Sequence, residues 1–139
     1  MRRDLTMDDL GDLTELGMLA VLATYRPDGT VLLAPVWHEW RDGGFHVMTG
    51  SRGVTAAHLR RDPRASIVVC EHSPPYRGVE IRGRAQLLTA GVHDAVKRIA
   101  ARYLGRQAGA AYADRADDDL LIRLEPGDLR AWDFADELS

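Results

Sequence analysis

Apolar residues in this chain fall into short blocks separated by turn-forming residues, a rhythm of strands more than of helices. Met18 to Arg26 (MLAVLATYR) is apolar and β-leaning, and it ends at Arg26-Pro27-Asp28-Gly29. Proline presets φ there and glycine accepts φ > 0, so a turn is predicted. Thr30 to Trp40 (TVLLAPVWHEW) is a second strand-like run. Pro35 inside it predicts a bulge or a sheet edge, because proline cannot donate to a ladder. Arg41-Asp42-Gly43-Gly44 is a second turn, and Phe45 to Thr49 alternates as a third strand. Together these runs predict a three-stranded antiparallel meander.

Helical signals are fewer. Thr6 and Asp9 have capping-box spacing, with Leu5 and Leu10 as a hydrophobic staple, and predict a helix from Met7 to Leu16 stopped by Gly17. Thr55 to Arg61 reads as a short helix ended by Asp62-Pro63. Val92 to Leu104 is the clearest one: Val92, Ala95, Val96, Ile99, Ala100, Tyr103 and Leu104 form a single apolar stripe. Thr89 suits its N-cap and Gly105 its C′ position. Ala65 to Glu71, Val79 to Leu88, Leu120 to Leu124 and Leu129 to Phe134 read as further strands, the last two around a Pro126-Gly127 turn. Gln107 to Asp118 carries no clear period. Six or seven strands with few helices, and no βαβ alternation, predict a mainly β fold built as a small antiparallel barrel.

Composition narrows the function classes. The 139 residues suit one domain, residues 1–139, and 45% hydrophobic with 28% charged residues is ordinary for a globular chain. A net charge of -3 argues against a nucleic-acid partner. Cys70 is the single cysteine, which excludes an internal disulfide framework and a four-cysteine zinc site. No apolar run is long enough for a membrane span. The start, MRRDLTMDDLGDL, lacks the apolar stretch of a signal peptide, so a cytoplasmic address is expected. Of 18 basic residues only Lys97 is a lysine, leaving 17 arginines, the flavour of a GC-rich genome.

The sequence offers no P-loop, dinucleotide fingerprint, nucleophile elbow or zinc-binding helix, so no catalytic or metal-ligating residue is assigned. None of its five histidines, His38, His46, His58, His72 and His93, has i, i+4 helix spacing with another. Cys70, mid-strand, reads as an inert thiol. Three segments stand out instead. Thr49 to Arg64 carries Arg52, Arg60, Arg61 and Arg64 against Asp62, a local charge of 4 − 1 = +3, with hydroxyls from Thr49, Ser51 and Thr55 and a helix start. That combination suits a phosphate, and equally a solvated helix face. Pro35-Val36-Trp37-His38 breaks a strand and frees backbone groups, which suits the imide edge of a flat heterocycle or simply an edge strand. Ser73-Pro74-Pro75-Tyr76-Arg77 is a rigid aromatic, basic loop that suits a pocket wall, a subunit contact or a connector.

Taken in order, VLATYRPDGTVLLAPVWHEW, TGSRGVTAAHLRRDPRASIVV and PPYRGVEIRGRAQL resemble the pyridoxamine-phosphate-oxidase-like split-barrel family. The nearest branch is the small actinobacterial deazaflavin- and flavin-dependent oxidoreductases, and the LEPGDLRAWDF ending also fits. The resemblance implies a six- to seven-stranded FMN-binding split barrel and a homodimer with cofactor sites between subunits. It implies that Pro35, Val36 and Trp37 face the cofactor ring, and that Val47, Thr49 and Ser51 lie under the ring and ribityl chain. Arg52, Thr55 and His58 fall in the segment that would hold the phosphate. Tyr76 and Arg77 would come from the partner subunit or line the substrate pocket.

Two positions depart from the family pattern: relatives carry lysine where this chain has Thr55 and asparagine where it has His58. Either Arg52 compensates, since a guanidinium grips phosphate bidentately, or the site takes another cofactor. The expected activity is hydride transfer from reduced coenzyme F-420 to a small conjugated or quinone-like substrate, a job that needs no dedicated acid or base. Arginines from Arg52 to Arg64 suit the acidic tail of F-420, which FMN lacks. The alternatives are an FMN-dependent oxidoreductase on the same fold, or a binding protein without turnover for flavin, heme or another tetrapyrrole, with His38 or His58 as a heme ligand.

Overall fold

The structure, a computed structural model, describes residues 5–138. Its sheet is built from β1 (Ala20–Tyr25), β2 (Val31–Val36), β3 (Glu39–Arg41), β4 (Gly44–Gly50), β5 (Arg64–Cys70), β6 (Gly78–Leu88), β7 (Asp119–Leu124) and β8 (Asp128–Trp132). The helices are α1 (Val54–Arg61), α2 (Val92–Leu104), α3 (Arg106–Arg115) and α4 (Ala135–Leu138). The strands lie in the order β2-β1-β5-β6-β7-β4-β3, with β8 on β6, and every neighbouring pair is antiparallel. This is an antiparallel split barrel.

The 11-residue β6 joins the two halves. Its Gly78–Arg84 length pairs with β5, and its Ala85–Leu88 length pairs with β7. β8 pairs along Gly78–Arg82. Leu22, Phe45, Val47, Ile67, Ile81 and Ile122 are each at most 1% exposed inside the barrel. Burying a side chain of this kind contributes roughly 1.5–3 kcal/mol. A second, smaller cluster forms outside it, where Ala95 and Ile99 of α2 and Leu121 of β7 pack with Trp37, Met48 and Tyr103.

The structure corrects several expectations. The N-terminal helix is two short 3-10 turns, Met7–Leu10 and Leu13–Glu15. The Thr6–Asp9 capping box is present, but Gly11 at φ 61 breaks the spiral between them. The run Thr30–Trp40 is two strands and not one. β2 pairs with β1 in one half, while β3 pairs with β4 in the other, so there is no meander. The break at Trp37-His38 is paid for by α2: the backbone N–H of His38 donates to the Tyr103 hydroxyl at 2.9 Å, and Arg102 Nε donates to the His38 carbonyl at 2.9 Å. Seven strands make up the path of the sheet, as expected, and β8 adds an eighth on β6 among the described residues. Finally, the patternless stretch after Gly105 is the helix α3, and the N-cap of α2 is Gly91 instead of Thr89.

Pro35 behaves as a sheet-edge proline. β2 is the terminal strand of its half, and the register with β1 runs through Val21↔Pro35 without a bulge.

Candidate functional site

An open groove of about 420 Å³ lies where the barrel splits, lined by Leu19, Pro35, Val36, Trp37, Met48 and Tyr112. Each wall comes from a different element. Pro35 and Val36 end β2, Trp37 is the first residue after it, Met48 stands on β4, and Tyr112 reaches over from α3. Trp37 is fixed by stacking on Tyr103, centroids 5.0 Å apart and planes 9° apart, with Tyr112 tilted against it at 5.3 Å. Such contacts add about 0.5–1.5 kcal/mol beyond area burial and leave the indole little freedom. Tyr103 in turn is tied by its hydroxyl, which donates to the Met18 carbonyl at 2.8 Å. Burial raises its phenol pKa, so it stays a neutral donor. Arg102 extends the same clamp to the carbonyls of Thr14 and Leu16, at 2.9 and 3.1 Å.

The turn after β4 carries polar and charged groups. The Ser51 hydroxyl donates to Asp118 Oδ1 at 2.7 Å, and Ser51 N–H donates to the Asp118 carbonyl at 2.9 Å. Arg52 projects into solvent, its side chain 92% exposed, with Nε 3.7 Å from Asp118 Oδ2. Arg60 Nη1 donates to the Ser51 carbonyl at 2.8 Å. Thr55 lies in the first turn of α1, where backbone N–H groups have no helical acceptor. Hydroxyl, guanidinium and helix start therefore follow one another along the chain, but Asp118 already occupies the Ser51 hydroxyl and Arg52 as an internal carboxylate. Its neighbour Asp119 has its carboxyl pKa raised by burial and by Asp118 and Asp117.

Not all the expected residues meet at this place. Pro35, Val36 and Trp37 share the groove, and Thr49, Ser51, Arg52 and Thr55 follow Met48 in sequence without lining it. Val47 does not face it: its side chain is 1% exposed and belongs to the barrel core. His58 is turned inward, 8% exposed, with Nδ1 3.0 Å from the hydroxyl of Thr24. Arg77 is an internal anchor. It holds Glu71, donates to Asp12 Oδ1 at 2.8 Å, and donates to the Leu10 carbonyl at 2.7 Å. Tyr76 beside it is 41% exposed. Sequence reasoning missed Met48, Leu19 and above all Tyr112. Neither β4, buried on successive residues from Gly44 to Val47, nor α3 offered a signal for them.

The groove suits a planar heterocycle with an anionic arm. Its walls are apolar and aromatic, β2 is a sheet edge with unpaired backbone groups, and Arg52, exposed and 3.7 Å from Asp118, stands on the turn that follows the strand of Met48. The family model described as pyridoxamine 5′-phosphate oxidase matches residues 13–133.

The chain belongs to the pyridoxamine 5′-phosphate oxidase family.

Solved structures agree on the fold of this oxidase family. The conserved hypothetical protein Rv2991 from Mycobacterium tuberculosis superimposes with a TM-score of 0.81 at 24% identity, covering 97% of this chain and 89% of that one. An F-420 reductase matches with a TM-score of 0.70 at 22% identity, covering 85% and 93%. A FAD-binding protein from Mesorhizobium loti matches with a TM-score of 0.68 at 19% identity, covering 94% and 93%. No curated protein matches the sequence. The family is one of flavin-binding split barrels that includes oxidoreductases, and among the described residues no helix is long and apolar enough to cross a membrane.

Proposed function

We propose that this chain is a coenzyme F-420-dependent oxidoreductase that reduces a small conjugated or quinone-like substrate. The observation that carries the reading is the groove itself: an apolar, aromatic-walled slot beside an exposed strand edge, one wall of which, Met48, stands on the strand that leads into the arginine-bearing turn. A reduced deazaflavin bound there supplies the hydride. The chain's own residues bind, orient and exclude water. Pro35, Val36 and Trp37 form the wall for the ring, and Trp37 is held stiff by Tyr103. Met48 and Tyr112 complete the lining beside Trp37. Arg52 takes the phosphate once it leaves Asp118, with Ser51, Thr49 and Thr55 supplying hydroxyls. No side chain is needed as acid or base, which agrees with a groove free of acids, bases and nucleophiles apart from the Tyr112 hydroxyl.

A second copy of the chain completes the site in this reading. Leu33, Leu19 and Val31 are 65%, 52% and 43% exposed on or next to the β2 edge, and Leu19 also lines the groove. Apolar residues exposed along an unpaired edge are a surface that a partner covers.

FMN is the second reading, favoured by family membership. The heme reading loses its ligands: His38 is 0% exposed, His58 is hydrogen-bonded to Thr24, and neither lines the groove. Parallel titrations of the purified chain with F-420, FMN, FAD and heme, read by Trp fluorescence and absorbance, test the proposal. Saturable F-420 binding with weaker FMN binding is expected. FMN or heme binding without F-420 binding overturns it.

A further inference from the structure

The outward face of β5, β6 and β8 matches opposite charges across its strands. Arg82 stands opposite Asp128 and Glu80 opposite Arg130, with Arg130 Nη2 3.5 Å from Glu80 Oε2. One register position breaks the rule: Arg64 stands directly opposite Arg84. Like charges at directly opposed positions destabilise a sheet. Arg64 is offset by Asp62, 2.7 Å away, and lies over the ring of Tyr25 at 4.6 Å. The side chain of Arg84 is exposed and has no hydrogen bond or ion pair among the described residues.

These side chains surround an open recess of about 490 Å³, lined by Tyr25, Arg64, Ser66, Arg82, Arg84 and Asp128 among others. Its formal charge is 3 − 1 = +2 in a chain of net charge -3. We propose that this recess is a binding site for a small ligand with two or more anionic groups, phosphates or carboxylates.

The spacing sets the ligand class. Arg82 and Arg84 are two residues apart, so their Cα atoms lie about 7 Å apart along the strand. Arg64 lies about 5 Å across from Arg84. Three guanidinium groups rooted on a triangle of that size outreach a single phosphate and suit a ligand whose charges are spread. Ser66, opposite Arg82, adds a hydroxyl on the same face. Guanidinium groups bind phosphate and carboxylate with paired, charge-assisted hydrogen bonds, which would also relieve the Arg64–Arg84 repulsion. None of these residues lines the groove at Trp37, so this site and the proposed activity stand or fall separately.

Calorimetric titration of the full chain with tripolyphosphate and, in parallel, with citrate tests the site. Saturable binding of at least one probe is expected, and which one binds tells phosphate from carboxylate. Arg84→Gln should weaken it by about tenfold or more, the scale of one charge-assisted contact. Arg106→Gln removes the same charge from an exposed position outside the recess and should leave binding unchanged. Circular dichroism checks the fold, and Arg82→Gln takes the place of Arg84→Gln should that variant misfold. Absence of saturable binding for both probes overturns the proposal. So does an equal loss in the recess variant and in Arg106→Gln, which marks general charge attraction.

Discussion

The hydroxyl of Tyr103 accepts the backbone N–H of His38 at 2.9 Å and donates to the carbonyl of Met18 at 2.8 Å. One phenol thus serves both the chain entering β1 and the chain leaving β2, and it lets the barrel split there. Tyr103→Phe keeps the stacking on Trp37 and removes both bonds, leaving a half-buried N–H and C=O without partners. A loss of about 1–3 kcal/mol is expected in urea unfolding, because unpaired buried groups cost more than a bond gains. An unchanged midpoint and slope would show that water replaces the phenol at no cost.

Arg52 and Asp118 predict opposite effects on ligand affinity. Arg52→Ala should weaken cofactor binding by about 1.5–3 kcal/mol, the scale of a charged contact. It should leave stability almost untouched, since an ion pair this exposed is worth about 0–1 kcal/mol. Asp118→Asn should tighten binding, because it removes the carboxylate that competes for Ser51 and Arg52. Titration of the three proteins side by side checks both signs. Equal affinities would move the anionic arm away from this turn.

Arg77 predicts the reverse pattern. Its guanidinium is mostly buried among Glu71, Asp12 and the Leu10 carbonyl. Arg77→Met strands a carboxylate that is 11% exposed, at a cost of roughly 2–4 kcal/mol. Thermal unfolding should register that loss. Affinity per folded chain should remain, and a selective drop in affinity would return Arg77 to the binding surface.

Acid should destabilise the fold through His38. Burial, and then Arg102 nearby, lower its pKa to about 4 from an ordinary 6.5. The folded state therefore binds the proton less readily than the unfolded state. The neutral imidazole contributes its full stability above the unfolded pKa. That stability falls as pH drops from 6.5 toward about 4, where the folded protein too takes up the proton. At 1.36 kcal/mol per pH unit the loss is on the order of 3 kcal/mol. His46 shifts the same way, through burial and then Arg123, and steepens the slope. Urea unfolding from about pH 7 down to about pH 4 should show the decline, and His38→Leu should flatten it. An equally steep decline in that variant would assign the effect elsewhere.

The residues explain how much could be read in advance. The stripe from Val92 to Leu104 gave α2 with its observed bounds, because a half-buried helix writes its period in large side chains. α3 has no such stripe. The residues it buries are Gly109 and Ala113, and a Cβ on Gly109 would stand 2.6 Å from the Ala101 nitrogen. Packing by small residues leaves no hydrophobic signature, so Tyr112 and half of the groove's aromatic wall stayed hidden. Thr30 to Trp40 looked continuous because the break is decided 65 residues away, by Tyr103. Val47 was misdirected by its neighbours: Phe45, His46 and Val47 are all buried, so alternation could not say which face holds the core. Pro35 and the arginine-rich turn were legible because proline and charge act locally.

The shared strand β6 carries a consequence for how the molecule comes apart. One length of it supports β5 and β8, and the other supports β7, so neither half keeps an intact sheet if the other melts. Cooperative units of unfolding follow such contacts. The split that opens the groove is therefore a split in shape alone. Amide protons on both sides should exchange with solvent through one common opening, and a chain cut between the halves would leave two fragments that each lack a sheet partner.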